Sequence, residues 1–293
     1  MSGRYPDWST DGKDWPNREA SSFIRAGGYE WHVQQMGDGP ICLLIHGTGA
    51  ATHSWRDVMP LLAEHHTVVA MDLPGHGFTK GMGQRPTLEG MAGSVAALLD
   101  ELKITPTLIV GHSAGVAIAA QLLLDRKWQI PLIGFTPALM PFPGLAAKIF
   151  PSLAKMLFTN PFVAIIFSRL AQAPGQTRKF LARSTGSNID PVGAKYYTCL
   201  FSKSGHCDGA IRMMANWRLE ALGARLGNLA SPVLLVSAAK DAAIPKAAVM
   251  QAVALIPGCE TQEMAALGHL AHEEDSAQAT NIIAEFAKTK MTA

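Results

Sequence analysis

A serine lies at the junction between a short apolar run and a helical pattern, and few folds accommodate such a junction. Residues 108–110 are apolar, residues 111–115 read Gly-His-Ser-Ala-Gly, and residues 116–124 have helical spacing. The form G-x-S-x-G on a tight turn from strand to helix gives its serine a strained backbone, and the two glycines leave room for neighbouring elements. The amide dipoles of the helix N-terminus favour a negative charge that develops beside the serine. We therefore predict that Ser113 is a nucleophile at the carboxyl end of a strand.

Short apolar runs of the same kind recur along the chain and alternate with helical patterns. The strand-like runs cover residues 41–45, 68–71, 108–110, 132–135 and 233–237, and the helical patterns cover residues 88–102, 114–124 and 247–255. Apolar strands that alternate with helices are typical of an α/β fold with a doubly wound, mostly parallel sheet. Ahead of them, residues 22–35 alternate around Gly27-Gly28 and predict an antiparallel hairpin.

The alternation stops between residues 138 and 225, where Met, Phe, Pro and Leu occur at helical spacing without a clear strand pattern. We interpret this block as a helical cap inserted over the carboxyl edge of the sheet, where open α/β sheets bind ligands. The predicted organisation is an N-terminal arm over residues 1–21, a core over 22–137 and 226–293, and a cap over 138–225.

The predicted cap is much more basic than the rest of the chain. Residues 134–228 contain 11 Lys or Arg and only three Asp or Glu, a net charge of +8, whereas the whole chain has a net charge of +2. One interpretation is an ordinary solvated face. The other is an apolar pocket rimmed by cations, suited to a large acidic ligand or to an anionic membrane surface. The small net charge of the whole chain argues against nucleic acid as a partner.

Asp241 and His269 follow Ser113 in the order that a serine nucleophile requires on such a sheet. Asp241 lies just past the strand-like run 233–237, and His269 lies on a loop within Leu-Gly-His-Leu at residues 267–270. A hydroxyl is a poor nucleophile until an imidazole takes its proton, and a carboxylate fixes the imidazole tautomer and stabilises its cation. Ser, then acid, then His is the order found in α/β-hydrolases. We therefore predict the catalytic triad Ser113, His269 and Asp241 on an α/β-hydrolase fold.

Other carboxylates fit the role of the catalytic acid less well. Asp72 lies in an early loop of a kind that shapes a pocket wall. Glu273 and Glu274 follow His269 too closely to reach its far nitrogen, and we expect them to begin the last helix. The end of the preceding strand-like run, at residues 136–138, offers no carboxylate. Asp241 is the well-placed candidate.

The loop after the first long strand is expected to complete an oxyanion hole. It reads Ile-His-Gly-Thr-Gly at residues 45–49, and it turns the backbone N–H of Thr48 toward the substrate. The backbone N–H of Ala114, at the start of the helix behind the nucleophile, is the expected second donor. We expect His46 to be a structural hydrogen-bonding residue rather than a catalyst.

The sequence predicts neither a cofactor nor a metal. Gly47-Thr-Gly49 lacks the third glycine of a dinucleotide-binding loop, and no phosphate-binding G-x-x-x-x-G-K-[ST] occurs, which argues against ATP-driven work. His-Leu-Ala-His-Glu-Glu at residues 269–274 has a metal-like spacing, but the triad already explains His269. The four cysteines form no C-x-x-C pair and are typical of free thiols in a reducing compartment.

The N-terminal segment and the most apolar segment of the chain also favour a cytoplasmic location. Residues 1–18 are polar and lack an apolar segment of the secretory type. The most apolar stretch elsewhere, residues 156–168, is too short and is interrupted by Pro161, so it does not predict a membrane span. The expected location is the cytoplasm, with peripheral attachment to the inner face of the membrane left open.

Several motifs spread along the chain resemble the magnesium-chelatase accessory proteins of bacteriochlorophyll biosynthesis, a group within the α/β-hydrolase superfamily. These motifs are DWPNRE at residues 14–19, WHVQ at 31–34, HGTGA at 46–50, HSWR at 53–56, DLPGHGFT at 72–79, MMANW at 213–217 and GHLAHEE at 268–274. The resemblance implies a role near magnesium insertion, on protoporphyrin or its magnesium derivative, and contact with magnesium chelatase subunits. It implies that insertion belongs to a separate ATP-dependent complex, which agrees with the missing phosphate-binding loop. The hydrolase positions of the group fall on Ser113, Asp241 and His269.

Three functional hypotheses remain open at this point. The first is an esterase or lipase-like hydrolase of a hydrophobic carboxylic ester. The second is a porphyrin-binding accessory protein that keeps a hydrolase scaffold, since a flat apolar ring with two propionates suits Met, Phe and Trp surfaces rimmed by Lys and Arg. The third is docking of the cap on a membrane. A serine at position 113 argues against epoxide hydrolases and haloalkane dehalogenases, which need a carboxylate there.

Overall fold

The computed structural model describes residues 3–81, 83–141 and 161–290, and these form one α/β sandwich. The strands are β1 (Ser21–Ala26), β2 (Tyr29–Met36), β3 (Ile41–Ile45), β4 (Thr67–Met71), β5 (Lys80–Gly81), β6 (Leu108–His112), β7 (Leu132–Phe135), β8 (Val233–Ala238) and β9 (Glu260–Met264). The helices, numbered by us, are α1 (Val58–Leu62), α2 (Leu88–Leu102), α3 (Ala114–Arg126), α4 (Pro161–Ala171), α5 (Gln176–Thr185), α6 (Pro191–Phe201), α7 (Ser204–Ala215), α8 (Glu220–Gly223), α9 (Lys246–Leu255), α10 (Ala271–Glu274) and α11 (Ser276–Lys290). Three short 3-10 helices cover Arg18–Ala20, Thr52–Trp55 and Leu226–Asn228.

The strands form a single mixed sheet in the order β1-β2-β4-β3-β6-β7-β8-β9, with β5 paired to β2. The first two strands are antiparallel to each other, and β2 is antiparallel to β4. All pairs from β4 through β9 are parallel. The predicted doubly wound, mostly parallel sheet of the α/β-hydrolase fold is therefore confirmed, and so is the antiparallel hairpin ahead of it.

Alternate side chains of the central strands pack into two separate cores. Leu43 and Ile45 of β3 join a cluster that includes residues of α2, α3 and α9. Cys42 and Leu44 of the same strand join a second cluster that includes residues of α1 and α11. Successive side chains of a strand point to opposite faces, so a continuous apolar run is what a sheet covered by helices on both faces requires.

Between β7 and β8 the described residues form the five helices α4 to α8 and no strand. We call residues 161–223 the helical insertion. Part of the predicted cap, residues 142–160, lies outside the described residues. The division into arm, core and cap at residues 21, 137 and 225 stays a prediction.

Residues 3–20 connect the core to the helical insertion, and we call them the arm. Trp15 is buried and donates a hydrogen bond from Nε1 to Thr52 Oγ1, at 3.0 Å. Asp11 forms an ion pair of 2.7 Å with Lys203, whose side chain is only 8% exposed. Thr52 follows β3 of the core, whereas Lys203 lies between α6 and α7 of the insertion. The arm therefore contacts both the core and the insertion.

No helix within residues 3–81, 83–141 and 161–290 is both long and apolar enough to cross a bilayer.

Candidate active site

Ser113 occupies the tight turn between β6 and α3, with backbone angles of φ 51° and ψ −117°. This rarely populated conformation with positive φ costs a residue with a side chain about 1–3 kcal/mol, so the surrounding structure must hold it in place. Its N–H donates to Phe135 O at 3.0 Å, and its carbonyl accepts from the N–H groups of Val116 and Ala138 at 3.1 and 3.2 Å. Three hydrogen bonds thus fix the turn, and Ser113 itself is only partly buried.

The two glycines beside Ser113 allow the turn to sit close to its neighbours. A Cβ added to Gly111 would lie 2.7 Å from Val116 N, and a Cβ added to Gly115 would overlap the carbonyl oxygen of Ile45. Backbone atoms cannot give way as a flexible side chain does, so any larger residue would displace the turn. The serine and both glycines therefore act as one structural unit, as the motif predicts.

Asp241 and His269 form a hydrogen-bonded pair, with 2.9 Å between Oδ2 and Nδ1. The other carboxylate oxygen of Asp241 accepts from the N–H groups of Ala243 and Ile244, each at 2.8 Å. Both side chains are nearly buried, at 4% and 9% exposure. Because Nδ1 faces the carboxylate, Nε2 of His269 is the nitrogen left to exchange a proton with a nucleophile.

Ser113 and His269 lie near each other, but no hydrogen bond joins their side chains directly. Within residues 3–81, 83–141 and 161–290, no hydrogen bond joins Ser113 Oγ and His269 Nε2. The ring of His112, the residue before the serine, lies 4.9 Å from the ring of His269. Catalytic hydrogen bonds in unliganded sites are often long and tighten when substrate binds.

The backbone of His269 is held from both sides. Its N–H donates to the carbonyl oxygen of Thr185, the last residue of α5, at 2.8 Å. Its own carbonyl accepts from His112 Nε2 at 3.0 Å and from Thr136 Oγ1 at 2.9 Å. Burial, with the neighbouring His272 and His269, lowers the pKa of His112 well below its usual value, so this ring is neutral and carries its proton on Nε2. Core and insertion therefore both fix the position of the candidate base.

The residues on either side of His269 are fixed as well. Gly268 N–H donates to Glu274 Oε1 at 2.7 Å, and Leu270 N–H donates to Ser187 Oγ at 2.8 Å. A Cβ on Gly268 would lie 2.5 Å from Ser187 N and from the carbonyl carbon of Gly186. The loop of residues 268–270 thus packs backbone against backbone on the insertion. Sequence reasoning missed Thr185, Ser187 and Glu274 in this role.

The two predicted oxyanion donors belong to the loop after β3 and to the start of α3. A Cβ on Gly47 would lie 3.0 Å from Ser113 Cβ, so the loop that contains Thr48 lies directly against the serine. Ala114 is the first residue of α3. Within the described ranges, neither the N–H of Thr48 nor that of Ala114 has a hydrogen-bond acceptor. Both donors therefore remain free for a ligand.

His46 and Asp72 support this region rather than reach the reacting centre. His46 donates from Nδ1 to Gly47 O at 2.7 Å and accepts at Nε2 from Leu73 N–H at 2.9 Å. Asp72 is fully buried and accepts hydrogen bonds from Thr52 N–H, Phe78 N–H and the ring of His32. Burial opposes its ionisation, but His32 and these donors outweigh it and hold the pKa of Asp72 below its usual value.

Glu273 joins the core to the helical insertion, a role that the sequence did not reveal. Its carboxylate accepts from Ser54 Oγ and Tyr197 Oη, each at 2.6 Å, and pairs with Arg56 at 2.7 Å. Arg56 also pairs with Asp190, which caps the N-terminus of α6, at 3.2 Å. The expectation that Glu273 and Glu274 begin the last helix was wrong, because they end the separate short helix α10.

The metal-like spacing at residues 269–274 does not gather its side chains into a cluster. His269 faces Asp241, whereas His272 Nε2 lies 2.9 Å from Ser54 Oγ. Among the described residues, no group of three His, Cys, Asp or Glu could hold a metal ion.

Apolar side chains border the site on the side of the insertion. Met213 of α7 is fully buried, and its sulfur accepts a hydrogen bond of 3.6 Å from Thr48 Oγ1 in the candidate oxyanion loop. Leu139, Ile244 and the partly buried Trp217 belong to the same apolar cluster as Met213. The candidate oxyanion loop therefore packs against this apolar cluster through Met213.

Four of the nine Lys and Arg side chains between residues 161 and 228 form ion pairs with acidic residues. The pairs within the insertion and its surroundings are Lys195–Asp14, Lys203–Asp11, Arg212–Asp208 and Arg225–Asp125. Two of the four carboxylates come from the arm. The surplus charge of the insertion is therefore smaller near the arm than the composition suggests.

Comparison with known proteins agrees with this geometry. The model of the alpha/beta hydrolase family matches residues 42–281. The chain belongs to the alpha/beta hydrolase family. It is 39% identical over 264 residues to the magnesium-chelatase 30 kDa subunit of Rhodobacter capsulatus, a match that covers 89% of this chain and 92% of that protein. The predicted resemblance to the magnesium-chelatase accessory proteins is confirmed.

Other proteins match this chain at lower identity. The dihydrolipoyllysine-residue acetyltransferase component of the acetoin cleaving system of Cupriavidus necator is 30% identical over 250 residues, which cover 83% of this chain and 62% of that protein. A putative lipase from Acinetobacter baumannii superposes with a TM-score of 0.78 at 16% identity, over 93% of this chain and 92% of that one. A meta-cleavage product hydrolase from Pseudomonas fluorescens gives 0.75 at 19% identity, over 93% and 99%. These structural likenesses establish the fold alone.

Proposed function

We propose that this α/β hydrolase is an accessory protein of magnesium chelatase in bacteriochlorophyll biosynthesis, that it binds a porphyrin beneath its helical insertion, and that its Ser113–His269–Asp241 triad is competent for catalysis. The observation that carries the pathway assignment is the 39% identity to the magnesium-chelatase 30 kDa subunit, over nearly the full length of both chains. The proposed partners are the magnesium chelatase subunits and a hydrophobic, anionic small molecule.

The catalytic part of the proposal rests on the Asp241–His269 hydrogen bond and on the strained turn at Ser113. In the proposed reaction, His269 Nε2 takes the proton of Ser113 Oγ while the oxygen attacks the carbonyl carbon of an ester. The N–H groups of Thr48 and Ala114 stabilise the negative charge on the carbonyl oxygen. His269 then gives the proton to the leaving alcohol, and water repeats the sequence to release the acid from the serine.

The binding part of the proposal rests on the apolar surface beside the triad. The partly buried Trp217 offers an aromatic face, which suits a large flat ring, and the buried Met213 contacts Thr48 in the candidate oxyanion loop. Arg218 is exposed next to Trp217 and has no acidic partner among the residues that the structure describes. We assign to it the role of pairing with one propionate of the porphyrin, because guanidinium and carboxylate match in geometry.

The proposed location is the cytoplasm. All four cysteines are free thiols. Unpaired thiols are typical of a reducing compartment, in which the precursor porphyrins of such a pathway are processed by a chelatase that needs ATP.

A labelling experiment tests the triad. Wild-type protein is expected to react with a fluorophosphonate probe and to hydrolyse a p-nitrophenyl ester, and Ser113→Ala is expected to do neither. Ser184→Ala is the matched control, since Ser184 is an exposed residue whose hydroxyl bonds only to backbone of its own helix. Labelling that persists in Ser113→Ala would show that Ser113 is not the nucleophile.

A titration with protoporphyrin IX tests the binding site. Binding is expected to quench tryptophan fluorescence and to shift the Soret band, and Trp217→Phe and Arg218→Glu should weaken it. Trp128→Phe is the control, because Trp128 packs beyond the far end of α3. No binding at micromolar porphyrin would contradict the proposal.

The alternative is a general hydrolase of a hydrophobic carboxylic ester. The observation that favours it is the same triad beside an apolar surface, since both features serve an ester as well as a porphyrin. Magnesium insertion by the purified chelatase decides between them. If Ser113→Ala still binds porphyrin and still assists insertion, the triad is incidental to the pathway role. If the protein turns over esters but neither binds porphyrin nor assists insertion, the general hydrolase is correct.

A further inference from the structure

An exposed apolar stripe runs along α4, the first described helix of the insertion. Phe162, Ile166 and Leu170 are 65%, 58% and 62% exposed, and Ile165 lies between them at 39%. The spacing of these residues places them on one face of the helix. On the opposite face Ala164, Ser168 and Ala171 are buried, so α4 is anchored by its small residues and presents its large ones outward.

This stripe is the main concentration of exposed apolar surface on the described chain. Five of the 12 large apolar side chains that the described residues expose lie between residues 162 and 180, the fifth being Phe180 of α5 at 44%. Single exposed apolar residues are ordinary on a protein surface, but a contiguous group marks a surface that binds something.

The same two helices carry positive charge without compensation. Arg169, Arg178, Lys179 and Arg183 are all exposed, and residues 161–189 contain no Asp or Glu. Within the described part of the chain, none of the four has an ion-pair partner, in contrast to the paired cations near the arm. Arg178 donates a hydrogen bond to Asn188, which leaves its charge in place.

We propose that α4 and α5 form a docking surface for an anionic lipid bilayer, with the apolar stripe inserted among the headgroups and the four cations against the lipid phosphates. An apolar face flanked by Lys and Arg is the composition of helices that lie in the membrane interface. A symmetric contact with a second copy of the chain is disfavoured, because it would bring four uncompensated cations against four others. The surface lies outside the proposed catalytic site, so the inference does not depend on the proposed function.

Vesicle flotation of the full-length protein tests the proposal. We expect the protein to float with vesicles of phosphatidylglycerol and phosphatidylcholine at low salt, and to bind poorly to phosphatidylcholine alone or at high salt. Each basic residue near an anionic surface contributes about fivefold to partitioning, so Arg178→Glu with Lys179→Glu should reduce it by at least roughly tenfold. Ile166→Asp with Leu170→Asp should reduce it to a similar extent, since it removes the inserting side chains.

Matched substitutions elsewhere provide the controls. Arg85→Glu with Lys103→Glu changes the net charge equally at exposed positions outside the surface, and Leu255→Asp replaces another exposed leucine. These variants should float like wild type. All variants should retain the wild-type rate of fluorophosphonate labelling in the absence of vesicles, which separates loss of docking from loss of fold and from failure of the catalytic proposal.

Two outcomes would overturn the proposal. One is the absence of flotation with anionic vesicles at low salt, or flotation that neither surface variant reduces. The other is a dimer in analytical ultracentrifugation that Ile166→Asp with Leu170→Asp converts to a monomer, which would identify a second copy of the chain as the occupant.

Discussion

Replacement of Gly268 by alanine should slow the reaction of Ser113 in a protein that still folds. The new Cβ would lie 2.5 Å from Ser187 N and from the carbonyl carbon of Gly186. Carbon atoms pack best at about 3.5–4.0 Å, so the loop must move by roughly 1 Å. Because His269 is the next residue, the base moves with it, and a misplacement of about 1 Å costs on the order of 100-fold in rate. Overpacking of this kind costs about 1–3 kcal/mol in the free energy of unfolding.

The measurement is the second-order rate of fluorophosphonate labelling, with ester hydrolysis and urea unfolding alongside it. Gly223→Ala is the matched control, because a Cβ there meets no atom within 4 Å. It should leave the labelling rate and the unfolding midpoint near those of wild type. A Gly268→Ala protein that is folded and labels at the wild-type rate would refute the inference that packing of this loop positions the base.

Three further predictions concern the groups that support the site. Thr136→Val removes one of the two donors to the His269 carbonyl. The loss of one hydrogen bond of about 1 kcal/mol should lower kcat for ester hydrolysis roughly fivefold and leave KM unchanged. An equal change in KM would contradict a positioning role for Thr136. Arg56→Met leaves the buried carboxylate of Glu273 without its cation and should lower the free energy of unfolding by about 3–5 kcal/mol in urea at neutral pH, so an unchanged midpoint would contradict it. The pKa of Asp72 is lowered from its usual 3.8, so the ionised carboxylate stabilises the fold above pH 3.8, and this stabilisation is lost as the pH falls below that value. In urea unfolding, the free energy of unfolding should fall more steeply below pH 3.8 in wild type than in Asp72→Asn. Parallel curves for the two proteins would be evidence against this assignment.

The centre of the sheet could be predicted from sequence because each central strand is buried on both faces. All five residues of β6 are buried, and so are the four of β7, so they appear as short apolar runs. The turn at Ser113 could be predicted for a related reason. The close backbone contacts at positions 111 and 115 admit only glycine, so the sequence shows a glycine on each side of the serine.

The edge strand β9 could not be predicted from the sequence in this way. In β9, of sequence Glu-Thr-Gln-Glu-Met, only Met264 is buried, so neither an apolar run nor an alternation is present. The strand exists because its backbone pairs with β8, and backbone pairing does not constrain side chains. One support of His269 was missed for the same reason. Thr185 holds the N–H of His269 through a carbonyl oxygen, and any residue carries one.

The contacts of α5 connect the candidate base to the outer surface of the insertion. The helix carries Arg178 and Lys179 on its exposed side, and it ends at Thr185, whose carbonyl oxygen accepts the N–H of His269. Ser187, two residues further on, holds the next N–H of the same loop. A displacement of α5 therefore moves hydrogen-bond acceptors of the base directly, without any intermediate element. The insertion therefore supplies two of the hydrogen-bond acceptors that hold the loop of residues 268–270, so it helps to fix the candidate base.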